Sequence, residues 1–463
     1  MGINRLVDIG KSALFTAQQA ILVTGHNIAN VNTPGYSRQQ ITLSENAPQD
    51  GSPGQIGMGV QAESIKRSYD AFVDAQLVSS GSQVAEFTAS STAMAQLEPL
   101  FGDANNQGIG AGLNDFFSAL QDVATNPSDL AARTVFLSKA TALADQFNQS
   151  AAILTSAQGF LDNQVGQTIT DVNRLTSQIA DLNTKIADTE SSGQQANDLR
   201  DQRGVALANL GERIDISSIE DTTGQVTVFT GRGQLLVDKA RTYQLVGVPD
   251  LSNNGLLDVR YDAGAGPTTS LIPVIQSGQL KGLLDVRDQT IPSLRASLDT
   301  LASEVVTQVN QQHRLGFGLD GSTNLDVFTP TGTTASTITV SLTNVRQIAA
   351  SSTVAGVPGN NANALTLAGL RNTDFASFGN VTFQEYYSAV AGSFGSATQA
   401  AQGNLQAQQA IKDQLTSQRA SVSGVSMDEE LANLLQYQRS FEAASRMIVV
   451  ADDLFQTILS IKR

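Results

Sequence analysis

The sequence predicts an α+β fold: an elongated multidomain protein with coiled-coil helices at both termini and a long helical bundle that carries an inserted β-rich domain. Three observations support this prediction. Apolar residues recur at alternating spacings of three and four near both ends of the chain and again in its middle, which is typical of packed helices. From Ile214 the apolar period changes to two, as in β-strands. After the β segment, helical periodicity returns and continues to the last residues.

Length and composition limit the functional classes. The 463 residues suggest about three domains. The formal net charge of -15 would repel phosphate backbones and anionic lipid headgroups, which disfavours nucleic-acid binding and attraction to a membrane surface. The chain has no Cys, which excludes disulfides, thiolate nucleophiles and cysteine-based zinc sites. Its apolar runs are shorter than the roughly 18 residues of a membrane span, and Gln18 and Gln19 interrupt the amino-terminal one, so a cleaved signal peptide is not predicted.

The first element is a terminal helix with an apolar stripe, and the last element is its counterpart. Isolated helices of this length are marginally stable, and a terminal helix has few sequence neighbours to pack against. Each stripe therefore needs the opposite terminus or another subunit, although two ordinary core helices would show the same periodicity. The amino-terminal stripe contains Ile3, Val7, Gly10, Leu14, Ala17, Ile21, Thr24 and Ile28. The carboxyl-terminal stripe contains Leu434, Tyr437, Phe441, Ala444, Ile448, Ala451, Phe455 and Ile458.

The terminal and central helices are assigned to two domains. Residues 1–60 with 425–463 are predicted to form a terminal helical assembly domain that is disordered in the free monomer, because each stripe lacks a partner until assembly. Residues 61–211, with about 276–315 and 361–424, are predicted to form a helical bundle. Its predicted helices are 65–84, 113–123, 129–154, 161–186, 197–210 capped by Gly211, one capped by Thr290 before Pro292, and 380–421. A Ser-Ser-Gly segment after 161–186 is predicted to end that helix.

A β-rich outer domain is predicted from residues 212–275 with about 316–360. Apolar and polar residues alternate in 225–230 and 234–237, and two glycines separate these strands. The segment 316–360 is rich in Gly, Thr and Asn and contains one clear predicted strand, Ser336 to Leu342.

A turn motif, A-N-V-N-T-P-G-Y-S-R, directly follows the amino-terminal stripe. Pro34 stops the helix, and Gly35 permits a positive φ. Asn30 favours a turn conformation. The candidate assembly residues of this segment are Asn30, Thr33, Pro34, Gly35 and Tyr36. A generic Asn-Pro-Gly loop would turn the chain in the same way.

With its flanking helix, this segment resembles the short motif shared by rod, hook and hook-associated flagellar proteins. The segment S-G-V-S-M-D-E-E-L-A-N-L-L-Q-Y-Q, which begins at Ser423, looks like the matching carboxyl-terminal motif. Within it, Ser426 followed by Glu429 has the spacing of a capping box. Two further segments, L-D-G at 319–321 and G-N-N-A-N-A at 359–364, are similar to the FlgK family of hook-associated proteins. The resemblance covers most of the chain and is weakest in the β-rich domain.

The resemblance implies a structural subunit of the bacterial flagellum, located at the hook–filament junction and without enzymatic activity. It implies export through the flagellar type III apparatus by an uncleaved amino-terminal signal, and so an extracellular location. The implied partners are further copies of the chain in a ring-like homo-oligomer, the hook protein, a second junction protein and a cytoplasmic export chaperone that binds the carboxyl-terminal helix. Neither nucleic acid nor membrane insertion is expected.

Two other functional classes remain open. Another axial subunit, hook protein or flagellin, would share the mode of export and assembly. The T-P-G-Y turn argues against flagellin, and the extensive helical middle argues against hook protein. A secreted glycan-binding or hydrolytic protein could use the β-rich domain, but Asp238, Asp250 and Asp258 have no spacing that compels paired carboxylates.

No catalytic, cofactor or metal site is predicted. His26 and His313 belong to no H-E-x-x-H pattern, and no nucleophile elbow is present. The segment 320–326 begins like an EF-hand loop, but Leu325 replaces the required Gly, so a turn is expected. The glycines at 108, 110 and 112 lack the preceding strand and following Lys of a phosphate loop, and they are predicted to form a flexible connection between helices.

Overall fold

The computed structural model describes residues 2–50, 54–101, 108–231, 233–331 and 333–461, without the side chains of the first two. It combines long helices with small antiparallel sheets, so the α+β prediction is confirmed. Within these ranges, no helix has both the length and the hydropathy needed to cross a membrane. The helices are α1 (Gly2–Ala29), α2 (Ala71–Leu97), α3 (Ile109–Thr125), α4 (Leu130–Glu190), α5 (Asn197–Arg213), α6 (Gln279–Asp285), α7 (Ile291–His313), α8 (Ala362–Gly369), α9 (Phe383–Ser423) and α10 (Met427–Ile461).

In the described ranges, the strands form three antiparallel sheets. Their bounds are β1 (Gln39–Glu45), β2 (Val60–Arg67), β3 (Ile216–Glu220), β4 (Val226–Thr230), β5 (Gln234–Asp238), β6 (Arg241–Thr242), β7 (Gln244–Asp250), β8 (Leu256–Asp262) and β9 (Thr269–Ser270). β1 pairs with β2, with Gln39 opposite Arg67, and this pair packs beside α1. The others form a four-stranded sheet in the order β3-β4-β5-β6 and a three-stranded sheet in the order β7-β8-β9.

α4 is one helix of 61 residues, about 90 Å long, where the sequence suggested two shorter helices. Asp129 caps it by accepting a hydrogen bond from a backbone N–H of the first turn. Buried side chains continue at helical spacing through Leu154 and Leu161, so the packing gives no reason for a break between the two predicted segments. The helix ends before the predicted Ser-Ser-Gly segment, where Gly193 has a φ of 80°.

α2 begins at Ala71, later than the predicted start near Ile65. Ile65 lies in β2 opposite Ile41, because pairing with β1 satisfies this part of the backbone. Asp70 caps α2 by accepting hydrogen bonds from two backbone N–H groups of the first turn. The sequence pattern therefore placed a strand and a helix in one element.

Two predictions based on glycines are wrong for the same reason, which is close packing of helices. Gly211 lies inside α5 rather than capping it, since an ideal Cβ atom there would be 2.6 Å from Val78 Cγ1 on α2. Gly110 and Gly112 lie inside α3 rather than in a connection. A methyl group at Gly112 would overlap the Gln146 side chain on α4. Glycines at these crossings let two helices approach closely.

Thr290 does not cap a helix, because the chain is already helical from Gln279. Residues 286–290 form a π-helical turn between α6 and α7, in which the Ile291 backbone N–H donates to a carbonyl five residues earlier. This wider turn precedes Pro292, which has no N–H to donate. The helix predicted to begin here is therefore the continuation of α6.

The segment 316–360 contains no regular strand among its described residues, so the strand predicted at Ser336 to Leu342 is wrong. That stretch is a turn followed by a single bridge between Phe328 and Val340. A side chain supplies a hydrogen bond to this stretch in place of a strand partner, since Asn148 of α4 donates to the Ile338 carbonyl oxygen at 3.1 Å. Its predicted β-rich character is not found, while the wider domain division stays a prediction.

One contiguous apolar core joins the helical body, the seven-strand region and the segment 316–360. It includes Phe116 and Phe136 of the helices, Val228 of a sheet and Phe328. Buried residues of the terminal helices, such as Ala451, lie outside that cluster. α1 and α10 therefore form a separate layer attached to the body.

Candidate functional site

The terminal helices α1 and α10 pack against each other in an antiparallel pair. Gly10 lies beside Ile448, and Asn27 at the other end of α1 lies beside Glu430 near the start of α10. An ideal Cβ atom at Gly10 would be 2.8 Å from Ile448 Cγ1, so a larger residue there would force the helices apart. The start of α1 and the end of α10 therefore lie together.

The structure places the small members of the α1 stripe inside this contact and the large ones at its edge. Ala17 and Thr24 are buried, together with Ala20 and Val23, which the predicted stripe omits. The predicted site residues that are half-buried are Val7, Leu14, Ile21 and Ile28. The side chain of Ile3 lies outside the described residues. α1 thus keeps apolar side chains available beside the contact.

α10 shows the same division, and it exposes further apolar side chains. Ala444 and Ala451 are buried, whereas Phe455 and Ile458 are 45% and 55% exposed. The predicted site residues that are half-buried are Leu434, Tyr437, Phe441 and Ile448. Large apolar residues outside the predicted stripes are also exposed, and with Phe455 and Ile458 they form the terminal apolar surface: Phe15, Leu22, Leu431, Leu435, Val449, Val450, Leu454, Leu459 and Ile461. Sequence reasoning missed them because it followed a single stripe on each helix.

The predicted turn after α1 is held by hydrogen bonds and by one glycine. The Asn30 side chain donates to a carbonyl of the last α1 turn at 3.0 Å, and Thr33 Oγ1 donates to Asn30 Oδ1 at 3.0 Å. Gly35 has a φ of 80°, and a methyl group there would overlap Val205 of α5. Pro34 is exposed at the surface of the turn.

A buried polar cluster follows the turn, and we call it the register cluster. Asn27 Oδ1 accepts hydrogen bonds from the Tyr36 hydroxyl at 2.7 Å and the Gln39 backbone N–H at 2.9 Å. Asn27 Nδ2 donates to Glu430 Oε2 at 3.0 Å, and Arg38 Nε donates to Glu430 Oε1 at 2.8 Å. Because Asn27 and Glu430 are 1% and 2% exposed, their bonds fix the register of α1 against α10.

Sequence reasoning selected Tyr36 for this region but missed Asn27, Arg38 and Glu430. A signal for Asn27 was available, since a polar residue three positions after Thr24 falls within the helix contact. The acidic start of α10 was interpreted as a capping pattern, but its Glu429 carboxylate accepts a hydrogen bond from Arg38 Nη2 at 2.8 Å. The contact between these residues depends on the tertiary structure, and their spacing in sequence does not reveal it.

α5 attaches the turn to the helical body through two carboxylates. Asp201 accepts hydrogen bonds from the Ser37 backbone N–H and hydroxyl, both at 2.8 Å, and from Arg67 Nη1 at 2.9 Å. Asp198 accepts one from Gln39 Nε2 at 2.7 Å. These bonds hold the terminal helix pair in a defined orientation on the body.

The same environment keeps the Tyr36 hydroxyl protonated. Burial raises the pKa of Tyr36 well above its usual value, and the carboxylates of Asp198, Asp201 and Glu430 raise it further. The phenol therefore remains a donor to Asn27 at neutral and moderately alkaline pH.

Both histidines have structural contacts. His313 is buried, its Nε2 accepts a hydrogen bond from the Ala349 backbone N–H at 2.9 Å, and its Nδ1 lies 2.7 Å from the Leu325 carbonyl oxygen. These two contacts place the proton of the neutral ring on Nδ1. Burial lowers the pKa of His313. His26 Nε2 lies 3.3 Å from a carboxylate oxygen of α5.

The EF-hand-like segment is a turn, as predicted. The Asp320 carboxylate accepts hydrogen bonds from the Ser322 backbone N–H at 3.0 Å and hydroxyl at 2.6 Å, and Gly321 has a φ of 79°. In the part of the chain that the structure describes, no group of three or more His, Cys, Asp or Glu side chains could hold a metal ion.

Three protein families match regions that coincide with these elements. The flagella basal body rod protein family matches residues 8–36, which cover most of α1 and the turn. The carboxyl-terminal family of the flagellar basal body rod FlgEFG proteins matches residues 416–461, the end of α9 and all of α10. The helical domain of the flagellar hook-associated protein FlgK matches residues 94–328, just over half of the chain.

This chain belongs to the FlgK family of flagellar hook-associated proteins. Flagellar hook-associated protein 1 of Bacillus subtilis is 28% identical, over 98% of this chain and 97% of that protein. The protein of the same name from Salmonella typhimurium is 25% identical, over 99% of this chain and 100% of that protein. The structure of the flagellar hook junction protein FlgK from Burkholderia pseudomallei covers 75% of this chain and 100% of its own, with a TM-score of 0.67 and 20% identity. The resemblance to the FlgK family that the sequence motifs predicted is confirmed.

Proposed function

We propose that this FlgK-family chain is a structural subunit of the bacterial flagellum that assembles at the hook–filament junction. Its similarity to hook-associated protein 1 extends over nearly the whole of both chains, which supports this role over that of a hook protein or a flagellin. The fold it shares with a hook junction protein adds to this support. We further propose that the chain acts by assembly and catalyses no reaction.

The terminal apolar surface is the observation that carries this proposal. Isolated exposed leucines are ordinary, but a set of large apolar side chains along one helix pair marks an interaction surface. Leu435, Val449 and Ile458 are 58%, 59% and 55% exposed. Burying one such side chain contributes about 1.5 to 3 kcal/mol, so copies that stack their α1–α10 pairs gain stability that the monomer lacks.

The proposed partners rest on the family resemblance and on the same surface. We propose that copies of the chain form a ring-like homo-oligomer on the hook, between the hook protein and a second junction protein. An export chaperone would cover the apolar side chains of α10 before secretion, since an exposed apolar helix promotes aggregation. The chain neither binds nucleic acid nor inserts in a membrane.

We propose an extracellular location, reached through the flagellar type III apparatus without removal of a signal peptide. The α1–α10 pair supports this, because cleavage within α1 would take away the side chains that cover Ala444 and Ala451. Amino-terminal sequencing of the secreted protein should therefore give a start at or next to Met1. A mature start near residue 25 would contradict this part of the proposal.

Complementation tests the proposed function. A strain without the gene should make hooks, release unpolymerised flagellin and lack filaments, and the wild-type gene should restore filaments. Leu435→Asp places a carboxylate in the terminal apolar surface and should abolish restoration, because the desolvation of a carboxylate costs several kcal/mol in each subunit. The matched control is Ser417→Asp, which adds the same charge at an exposed position of α9, outside the terminal helix pair. Normal filaments with Leu435→Asp would contradict assembly through this surface.

A further inference from the structure

A long stretch of α9 is exposed and carries no charge. Residues 386–411 contain no Asp, Glu, Lys or Arg, in a chain that is 15% charged. On one side of this stretch, Phe394, Thr398 and Ala401 are buried against the body. The other side is exposed, and six of its residues share one direction and form what we call the α9 face: Ala389, Ser393, Ala397, Ala400, Ala407 and Ile411.

The α9 face differs from an ordinary solvated helix surface, which carries charged side chains. The carboxyl-terminal part of α9 is held on the body by ion pairs, Lys412 with Glu212 at 3.1 Å and Arg419 with Asp74 at 2.8 Å. These contacts leave the α9 face directed away from α2. Small uncharged side chains there would let another helix approach to about 8–10 Å.

A groove of about 550 Å³ lies between α2 and α4, and its lining has the same chemistry. Its hydroxyl, amide and apolar side chains include Thr88, Thr92 and Gln96 from α2 and Leu161, Gln164 and Gln167 from α4. Among the lining residues, charged side chains occur at the end beside Gly81, where α5 contributes to the wall. The α2 wall from Gly81 to Gln96 is about 22 Å long, which suits roughly four turns of a helix.

The groove and the α9 face share no residue. α9 meets the groove of its own chain at the charged end, where Lys412 pairs with the lining residue Glu212 at 3.1 Å, and no residue of the α9 face lines the groove. Two copies of a chain with a net charge of -15 repel each other across most of their surfaces. Contact between copies is therefore favoured where both surfaces lack charge. The α9 face presents methyl and hydroxyl groups, and the groove lining contains groups of both kinds.

We propose that the α9 face of one copy binds in the α2–α4 groove of the neighbouring copy. The contact joins two different surfaces, so its repetition generates a closed ring or a helical array rather than an isolated dimer. This inference rests on the proposed function, and it adds a second contact between copies, formed by the helical body rather than by the terminal helices.

Cysteine cross-linking tests this contact cleanly because the native chain has no Cys. Thr92→Cys and Ala400→Cys are expressed as two distinguishable chains in one strain, and purified flagella are treated with a short thiol-to-thiol cross-linker. We expect a covalent dimer that contains one chain of each kind, and none from dilute monomer. Ser177→Cys, at an exposed position on α4 away from the groove, replaces Thr92→Cys in the control and should give no dimer with Ala400→Cys.

Charge variants provide a second measurement. Thr92→Glu and Ala400→Glu together in each chain should reduce filament number, because both carboxylates would meet at every contact. Thr92→Lys with Ala400→Glu should restore it. Normal filaments that give no cross-link between a Thr92→Cys chain and an Ala400→Cys chain would overturn this inference and leave the junction role intact. Cross-links between two Ala400→Cys chains would have the same meaning. Failure of the wild-type gene to restore filaments would instead refute the proposed function.

Discussion

Asn27 and Glu430 are separated by 403 residues in sequence, yet Asn27 Nδ2 donates to Glu430 Oε2 at 3.0 Å in a buried contact. This bond lies where the end of α1 meets the start of α10. Arg38 binds the second oxygen of the same carboxylate, so Glu430 joins both sides of the turn to α10. Within one chain, these bonds give the terminal pair a defined register.

Replacing Glu430 by Ala should loosen the terminal pair. The change removes the carboxylate that accepts hydrogen bonds from the buried Asn27 amide and from Arg38. Loss of one member of a buried ion pair costs about 3 to 5 kcal/mol of unfolding free energy. Hydrogen exchange should show faster opening of α1 and α10, with the helical body unchanged. Glu429→Ala is the control, because this carboxylate is 56% exposed and its ion pair contributes about 1 kcal/mol or less. Equal exchange in the two variants would contradict the role of the register cluster.

Replacing Gly35 by Ala should destabilise the turn for two reasons that can be separated. The residue has a φ of 80°, which costs about 1 to 2 kcal/mol for a residue with a Cβ, and its methyl group would overlap Val205. Thermal unfolding should therefore show a lower midpoint. Adding Val205→Ala should recover the part caused by overlap, while the conformational part remains. Gly25→Ala is the control, since open space around Gly25 in α1 predicts a gain of up to about 1 kcal/mol.

Ile448→Asp should prevent assembly while the body stays folded. Ile448 packs on Gly10, and the change loses about 1.5 to 3 kcal/mol of side-chain burial and adds several kcal/mol of carboxylate desolvation. The apolar core of the helical body contains no residue of α1 or α10. The melting temperature of the body should therefore match that of the wild type. Cells should make hooks, leak flagellin and lack filaments. Asp452→Ala, on an exposed position of α10, should keep motility, and normal filaments with Ile448→Asp would exclude this contact from assembly.

His313 should make a contribution to the stability of the helical body that is lost in acid. Burial lowers the pKa of this histidine below its usual 6.5, so below about pH 6.5 the unfolded chain binds a proton that the folded chain does not. The contribution of His313 to the free energy of unfolding is therefore fully present above pH 6.5 and decreases by up to about 1.4 kcal/mol per pH unit below it. Denaturant unfolding between pH 4.5 and 8 measures this slope, and His313→Gln should reduce it. An unchanged slope in the variant would assign the effect to other groups.

Much of the fold could be predicted from local patterns. The terminal helices, the strands β4 and β5 and the long helix α9 follow from apolar periods of 3.6 and 2, which neighbouring residues determine. The turn motif also predicted where α1 ends, because Pro34 and Gly35 restrict the backbone by themselves. Errors occurred where another element competes, as at Ile65, which pairs with β1, and at Gly211, which packs on α2.

The sequence by itself determined that this chain has two amphipathic terminal helices, a helical middle and the motifs of an axial flagellar protein, since these depend on spacing and residue type. Only the tertiary structure decided which apolar residues are covered by α1–α10 pairing and which form the terminal apolar surface. It also decided that Asn27, Arg38 and Glu430 meet, and that an uncharged α9 face stays uncovered. The physical reason is that coverage and pairing depend on contacts between distant segments, whereas periodicity reports only which residues share one side of a helix.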